Sequence, residues 1–271
     1  MSQNVRISTA KRLTESSIMI AIGTVLSLIK LIDMPYGGSV TIACMLPVII
    51  IAYRYGVSWG LFTGFVFGLL QQLLGLENLS YVTTWQSIVA VILIDYIIAY
   101  MSIGSAGAFR KMSSQPVALV LGSVCACFIR YICHVIAGAT VWAGLPIPTK
   151  AALVYSISYN ATYMIPEMLV TAVVAYYIGS ILDFKGEHIA HLNRNKKASI
   201  PVPVLVGGLM LAAVALFDIR MIFMHLQNAG TGDFDLSGVA SVNWIFLAIV
   251  TVIGVALAGI LFFVYSRNKE S

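Results

Sequence analysis

The sequence has few charged residues. Only 10% of its 271 residues are Asp, Glu, Lys or Arg, whereas 59% are hydrophobic. An ordinary soluble domain carries about 25% charged residues. The composition therefore excludes a typical soluble domain and indicates that lipid surrounds most of the chain.

The sequence also lacks the motifs of common catalytic and metal sites. It contains no HExxH, GxSxG or Walker phosphate-loop motif. The four cysteines lie in apolar stretches without a CxxC pair, so we interpret them as small buried hydrophobic residues. We predict no catalytic residue, no metal and no cofactor, and any ATP-driven step would need a partner chain.

The basic residues do not form a nucleic-acid-binding surface. The net charge is +5, but these residues sit in short loops rather than in a stripe interleaved with aromatic side chains. We therefore predict the lipid bilayer, and no nucleic acid, as a partner.

Hydrophobic stretches predict an all-α, polytopic membrane protein. About 20 apolar residues cross the roughly 30 Å hydrocarbon layer as a helix. We predict eight spans, at 16–32, 39–53, 57–75, 85–104, 116–138, 151–181, 202–224 and 242–265.

A polar segment divides these spans into six and two. Residues Asp183–Ser199 are polar and mixed in charge, and Pro201 and Pro203 follow. We predict a six-helix unit at residues 1–182, a cytoplasmic linker at 183–200 and a two-helix transmembrane hairpin at 201–271. No role for the hairpin follows from the sequence.

Positively charged residues predict the orientation. With eight spans, one face of the membrane carries only Lys30, Lys150 and Arg220. The face shared with the termini carries the cationic residues Arg6, Lys11, Arg12, Arg54, Arg110, Lys111, Lys185, Arg194, Lys196, Lys197, Arg267 and Lys269. Because cytoplasmic loops are enriched in Lys and Arg, we predict a cell-membrane protein with both termini in the cytoplasm.

Four ionisable residues lie inside predicted spans, where each needs a partner, water or a function. They are Asp95, Arg130, His134 and Glu167. One interpretation is structural: Arg130 would pair with Glu167 or Asp95. His134, Trp142, Asp95 and Asn160 are predicted to lie toward the outer half of the membrane, and for them the favoured interpretation is a binding site for a small, planar, cationic ligand. A carboxylate can neutralise the charge of such a ligand, and an indole ring can stack on it.

The sixth span carries a polar stripe. Ser156, Asn160, Tyr163 and Glu167 follow at spacings of four, three and four, which places them on one helix face. Tyr155 and Tyr159 flank the stripe. We therefore expect this face to line the interior.

Several short motifs follow one another along the chain: PYGGSVT at 35–41, DYIIAY at 95–100, GSAGAF at 104–109, RYICH at 130–134, AG at 137–138 with Trp142, YSISYN at 155–160 and YMIPE at 163–167. In this order and spacing, they resemble the thiamine transporter family ThiT, also called YuaJ, over residues 10 to 182.

The resemblance implies a six-helix, thiamine-binding S component of an energy-coupling-factor (ECF) importer. Such a protein works with a transmembrane coupling protein and two cytoplasmic ATPases. It implies substrate-binding roles for Asp95 as the carboxylate, Tyr96 beside it, His134, Trp142 as the stacking indole, and Tyr155 with Asn160 as hydrogen-bonding groups. It also implies that Ser17 and Ala21 on the first helix dock the coupling protein through small-residue packing.

The sequence departs from the family pattern in two places within the matched region. The segment from Leu76 to Leu93 is several residues longer than the family leads us to expect, and Gly38 stands where some members have an aromatic ring. Two alternatives stay open: an S component for another vitamin or a thiamine precursor, and a membrane enzyme or sensor that uses His134 and Asp95 as acid and base.

Overall fold

The computed structural model describes residues 8–34, 37–82, 84–142, 149–192, 202–226 and 236–270. The chain divides into two compact units, Met1–Leu192 and Asn193–Ser271. Within the described ranges, six helices are long and apolar enough to cross a membrane. The predicted all-α, multi-pass membrane fold is confirmed.

The described residues of the first unit form six helices. They are α1 (Thr9–Leu28), α2 (Leu46–Tyr55), α3 (Val57–Leu74), α4 (Trp85–Lys111), α5 (Gln115–Ala137) and α6 (Lys150–Ile181). Side chains of Ser8, Thr84 and Thr149 accept hydrogen bonds from the first turns of α1, α4 and α6. These N-caps satisfy backbone donors that have no partner within the helix.

The second predicted span, 39–53, is wrong. Residues Lys30–Asp33 (β1) and Ser39–Thr41 (β2) pair as an antiparallel hairpin, and α2 has only 10 residues. Gly37, at φ +99°, adopts a conformation that favours glycine. A 10-residue helix is about 15 Å long and cannot cross the bilayer alone.

The chain nevertheless returns along α1 between Ser39 and Tyr55. Arg54, near the end of α2, pairs with Glu15 in the first half of α1 at 2.9 Å. The hairpin lies near the other end of α1, where β2 contacts it. A strand, a turn and a short helix therefore replace the single predicted helix.

The backbones of helices α3 and α4 approach each other closely. Gly60, Gly64 and Gly68 repeat every four residues along α3. A Cβ on Gly64 would lie 2.5 Å from the Tyr100 carbonyl oxygen, and one on Gly68 would lie 2.9 Å from the Tyr96 carbonyl oxygen. Small residues allow helix backbones to approach this closely in lipid. Here they allow α4 to pack directly on α3 next to Asp95.

Helix α4 is not a uniform α-helix. Its segment Ile92–Ile98 is a π-helix and Ser102–Lys111 is a 3-10 helix. A further π-helical turn, Gly138–Trp142, follows α5. Short π-helical segments are frequent at functional sites because they change the direction of side chains.

In the second unit, the residues that the structure describes form two helices, α7 (Val202–His225) and α8 (Trp244–Glu270), with a 3-10 turn at Leu236–Ser241 before α8. Thr251 on α8 donates a 2.6 Å hydrogen bond to Asp218 on α7. This bond gives a partner to one oxygen of a carboxylate at membrane depth.

Candidate functional site

A cavity of about 600 Å³ lies inside the first unit. Its wall comes from the end of α1, the β1–β2 hairpin region, the end of α3, the π-helical part of α4, the end of α5 and the first half of α6. Its volume is in the range of roughly 300–1,000 Å³ usual for small-molecule sites. Of the predicted substrate-binding residues, it brings together Asp95, Tyr96, His134, Tyr155 and Asn160.

Asp95 and His134 form an ion pair or hydrogen bond on the cavity wall. The His134 Nδ1 and Asp95 Oδ1 atoms are 2.8 Å apart, and the two side chains are 11% and 10% exposed. With an ionised Asp95, Nδ1 must carry the proton because the carboxylate only accepts. His134 Nε2 is buried and has no partner among the described residues.

The polar stripe on α6 ties that helix to α5. Ser156 Oγ donates to the Val135 carbonyl at 2.9 Å, and Asn160 Nδ2 donates to the Ser156 carbonyl at 2.8 Å and the His134 carbonyl at 3.3 Å. Tyr163 donates to Asn160 Oδ1 at 2.5 Å. Asn160 is thus held in one orientation, and its amide oxygen keeps one lone pair.

Tyrosine rings form an aromatic wall. Tyr155 and Tyr159 are stacked, with ring centroids 6.2 Å apart and an angle of 4° between planes. Tyr163 meets Tyr159 edge-on at 5.9 Å and His134 at 6.1 Å. The faces of such rings attract cations.

Tyr96 connects α4 to the turn Leu76–Tyr81. Its hydroxyl accepts a 3.0 Å hydrogen bond from Asn78 and lies 3.4 Å from the Gly75 carbonyl. Sequence reasoning missed Asn78, which also lines the cavity. No pattern in that longer segment indicated where it would fold.

The structural interpretation in which Arg130 pairs with Glu167 or Asp95 is wrong, because Arg130 forms no ion pair among the described side chains. Its guanidinium lies 4.1 Å from the Tyr100 ring centroid and donates to the Tyr100 hydroxyl at 2.8 Å. Glu167, 1% exposed, instead accepts from Thr41 N at 2.6 Å and Thr41 Oγ1 at 2.7 Å. Glu167 therefore anchors the β1–β2 hairpin.

Two other predicted groups are not among the described residues that line this cavity. The Trp142 side chain falls outside the described part of the structure, as do Pro35 and Tyr36 of the first motif. Ser17 and Ala21 are exposed on α1, whereas the neighbouring Ser16 and Ile20 are buried. Packing inside the first unit does not account for the small residues at 17 and 21.

The long apolar helices and the polar cavity between them define a multi-pass membrane protein with a small-molecule site. The family model "Thiamine transporter protein (Thia_YuaJ)" matches residues 13–183, more than half of the chain. The chain therefore belongs to the Thia_YuaJ thiamine transporter family. The second unit lies beyond the matched residues.

Two relatives are similar over about three-fifths of this chain. Thiamine transporter ThiT of Bacillus subtilis (strain 168) is 38% identical over 175 residues, which cover 60% of this chain and 87% of that protein. A solved structure of ThiT from Listeria monocytogenes matches with a TM-score of 0.50 and 25% identity, covering 62% of this chain and 92% of that one.

Proposed function

We propose that this chain binds thiamine and acts as the substrate-binding subunit of an ECF-type importer. A transmembrane coupling protein and two cytoplasmic ATPases would complete the transporter, in a cell membrane with both termini cytoplasmic. Family membership supports the ligand. The observation that carries the proposal is the Asp95–His134 pair, with its unpartnered Nε2, on the wall of an aromatic-lined cavity.

The cavity matches the chemistry of thiamine. Its thiazolium ring carries a fixed positive charge, for which Asp95 supplies a carboxylate and Tyr155 and Tyr159 supply ring faces. Its aminopyrimidine has an amine donor, and a neutral His134 Nε2 is an acceptor. Trp142 remains a proposed stacking residue.

Calorimetry on the purified, detergent-solubilised chain tests the ligand. We expect thiamine to bind without ATP and to be recovered unchanged. Tight binding of the free pyrimidine moiety or of another vitamin, with none of thiamine, would contradict the ligand assignment. Chemical conversion of thiamine by the isolated chain would favour the membrane enzyme instead.

The exposed small residues on α1 test the assembly. Ser17→Leu with Ala21→Leu would hold a partner helix away, because close packing is a main source of helix association in lipid. We expect loss of uptake and of co-purification with the coupling protein, while thiamine binding is retained. Ala256→Leu with Gly259→Leu adds bulk to exposed small residues of α8 as a control. Uptake retained by the α1 variant would refute the docking role.

A further inference from the structure

A second cavity, of about 540 Å³, opens far from the thiamine site and is rich in positive charge. Its lining residues are Tyr53, Arg54, Arg110, Lys111, Phe184 and Lys185. We refer to it as the basic cavity. Phe184 and Lys185 follow the end of α6, and Ile181 is 21 residues beyond Asn160 along that helix. At 1.5 Å per residue the separation is about 32 Å, close to the thickness of the hydrocarbon layer.

Arg54 forms the fixed part of the basic cavity. Its side chain is 1% exposed and pairs with Glu15 at 2.9 Å. It also donates to the Phe184 carbonyl at 2.7 Å and the Glu187 carbonyl at 3.2 Å. Its charge is neutralised, and its role is to hold the segment after α6 against α2.

The other three cations are not neutralised in this way. Arg110, Lys111 and Lys185 form no ion pair with any described acidic side chain. Two of them bind backbone oxygens instead: Arg110 donates to the Arg54 carbonyl, and Lys185 Nζ donates to the Met112 carbonyl. One carboxylate, Asp183, lies next to the basic cavity and accepts from Lys185 N at 2.8 Å. The local charge therefore stays positive after Glu15 and Asp183 are counted.

A buried hydroxyl without a partner also belongs to this wall. Tyr53 is 3% exposed, and its hydroxyl makes no hydrogen bond within the part of the chain that is described. A buried polar atom without a partner is costly. A ligand oxygen in the basic cavity would remove that cost.

We propose that the basic cavity binds a phosphate group. Phosphate oxygens accept hydrogen bonds from guanidinium, ammonium and phenol groups, and charge strengthens these bonds. The position at one end of the membrane-spanning helices is the depth of lipid headgroups, and basic pockets there bind anionic lipids. The source of the phosphate is an anionic phospholipid or a soluble phosphate.

Titration of the purified full chain in neutral detergent tests this site. The probes are short-chain phosphatidylglycerol, the matching phosphatidylcholine and inorganic phosphate, with bound lipid counted by native mass spectrometry. We expect Arg110→Gln with Lys111→Gln to weaken phosphatidylglycerol binding by roughly 25-fold, about fivefold per cation. The control, Lys150→Gln with Arg220→Gln, removes two exposed cations elsewhere and should change affinity less than about twofold.

Tyr53→Phe tests the hydroxyl separately from charge. We expect roughly tenfold weaker binding, the lower end for a hydrogen bond to a charged group. The thermal unfolding midpoint should not fall, because the hydroxyl has no bond within the described structure to lose. Retained thiamine binding by every variant shows that the first unit is folded.

The probes separate the two sources. Binding of phosphatidylglycerol alone identifies a lipid headgroup, and variant-sensitive binding of inorganic phosphate as well identifies a site open to soluble phosphates. Equal binding by wild type, charge variant and control would overturn the proposal. So would equal binding of phosphatidylcholine, no binding of any probe, or unchanged affinity in Tyr53→Phe.

Discussion

Replacing Asp95 by Asn removes one negative charge from the wall of the cavity proposed to bind thiamine, with little change of shape. The asparagine oxygen can still accept the hydrogen bond from His134 Nδ1, which is 2.8 Å from Asp95 Oδ1. The substitution therefore separates charge from geometry. We expect a large effect on cationic ligands and a small one on neutral ligands.

The magnitude follows from the burial of the pair. Two unit charges 4 Å apart attract by about 4 kcal/mol at an effective dielectric constant of 20. The Asp95 side chain is 10% exposed and the cavity is open to solvent, so that value is an upper bound. Screening by solvent, with an effective dielectric constant of roughly 28 to 55, lowers the attraction to about 1.5–3 kcal/mol, which corresponds to a roughly 10- to 150-fold loss of thiamine affinity.

The assay compares thiamine with an isostere whose thiazolium is replaced by an uncharged ring. Calorimetry on wild type and Asp95→Asn gives the loss of affinity caused by the substitution for each of the two ligands. Asp218→Asn removes the same charge from the second unit, keeps the Thr251 contact possible, and should leave both affinities unchanged. Equal losses for thiamine and the isostere in Asp95→Asn would refute a role for the charge and make Asp95 a structural residue.

Two further substitutions test the hairpin. Gly38→Ala would place a Cβ 2.7 Å from Tyr163 Cδ1, so we expect thiamine affinity to fall by roughly fivefold or more as the Tyr163 ring moves. The control, Gly259→Ala, has no neighbour within 4 Å and should leave the affinity unchanged. An equal loss of affinity in the control would contradict this reasoning. Glu167→Gln replaces one of the two oxygens that accept hydrogen bonds from Thr41 by an NH2 donor. We therefore expect the free energy of unfolding in denaturant to fall by about 1.5–3 kcal/mol and the Thr41 amide hydrogen to exchange faster. Unchanged hydrogen exchange at Thr41 would contradict the anchoring role.

Hydropathy predicted the long helices well because membrane length and apolar composition are local properties. The observed helix Lys150–Ile181 differs from the predicted span 151–181 by one residue. The segment 39–53 misled the same method: its apolar residues are buried inside the first unit, where α2 is almost wholly covered. Burial by protein and burial by lipid select the same residues, so hydropathy alone cannot distinguish them.

Residue spacing predicted the candidate site only where its residues share one helix. Spacing along α6 identified Ser156, Asn160 and Tyr163 as one face, and the structure places all three on the cavity. The partners of Glu167 and Arg130 were not predictable from spacing. Thr41 and Tyr100 lie far away in sequence, and nothing local signals that a strand delivers a backbone N–H to a membrane carboxylate.

The distribution of charge in the cavity favours one orientation of thiamine. Arg130 lines the same cavity as Asp95, and a cation next to it would be repelled. Its Nε atom is buried without a partner among the described residues, as is His134 Nε2. Arg130 Nε is a donor, and His134 Nε2 is an acceptor when the imidazole is neutral and Nδ1 carries the proton. An aminopyrimidine presents the complementary pair, a ring-nitrogen acceptor and an amine donor. For thiamine bound as proposed, the neutral ring would face Arg130, and the thiazolium would face Asp95 and the tyrosine rings.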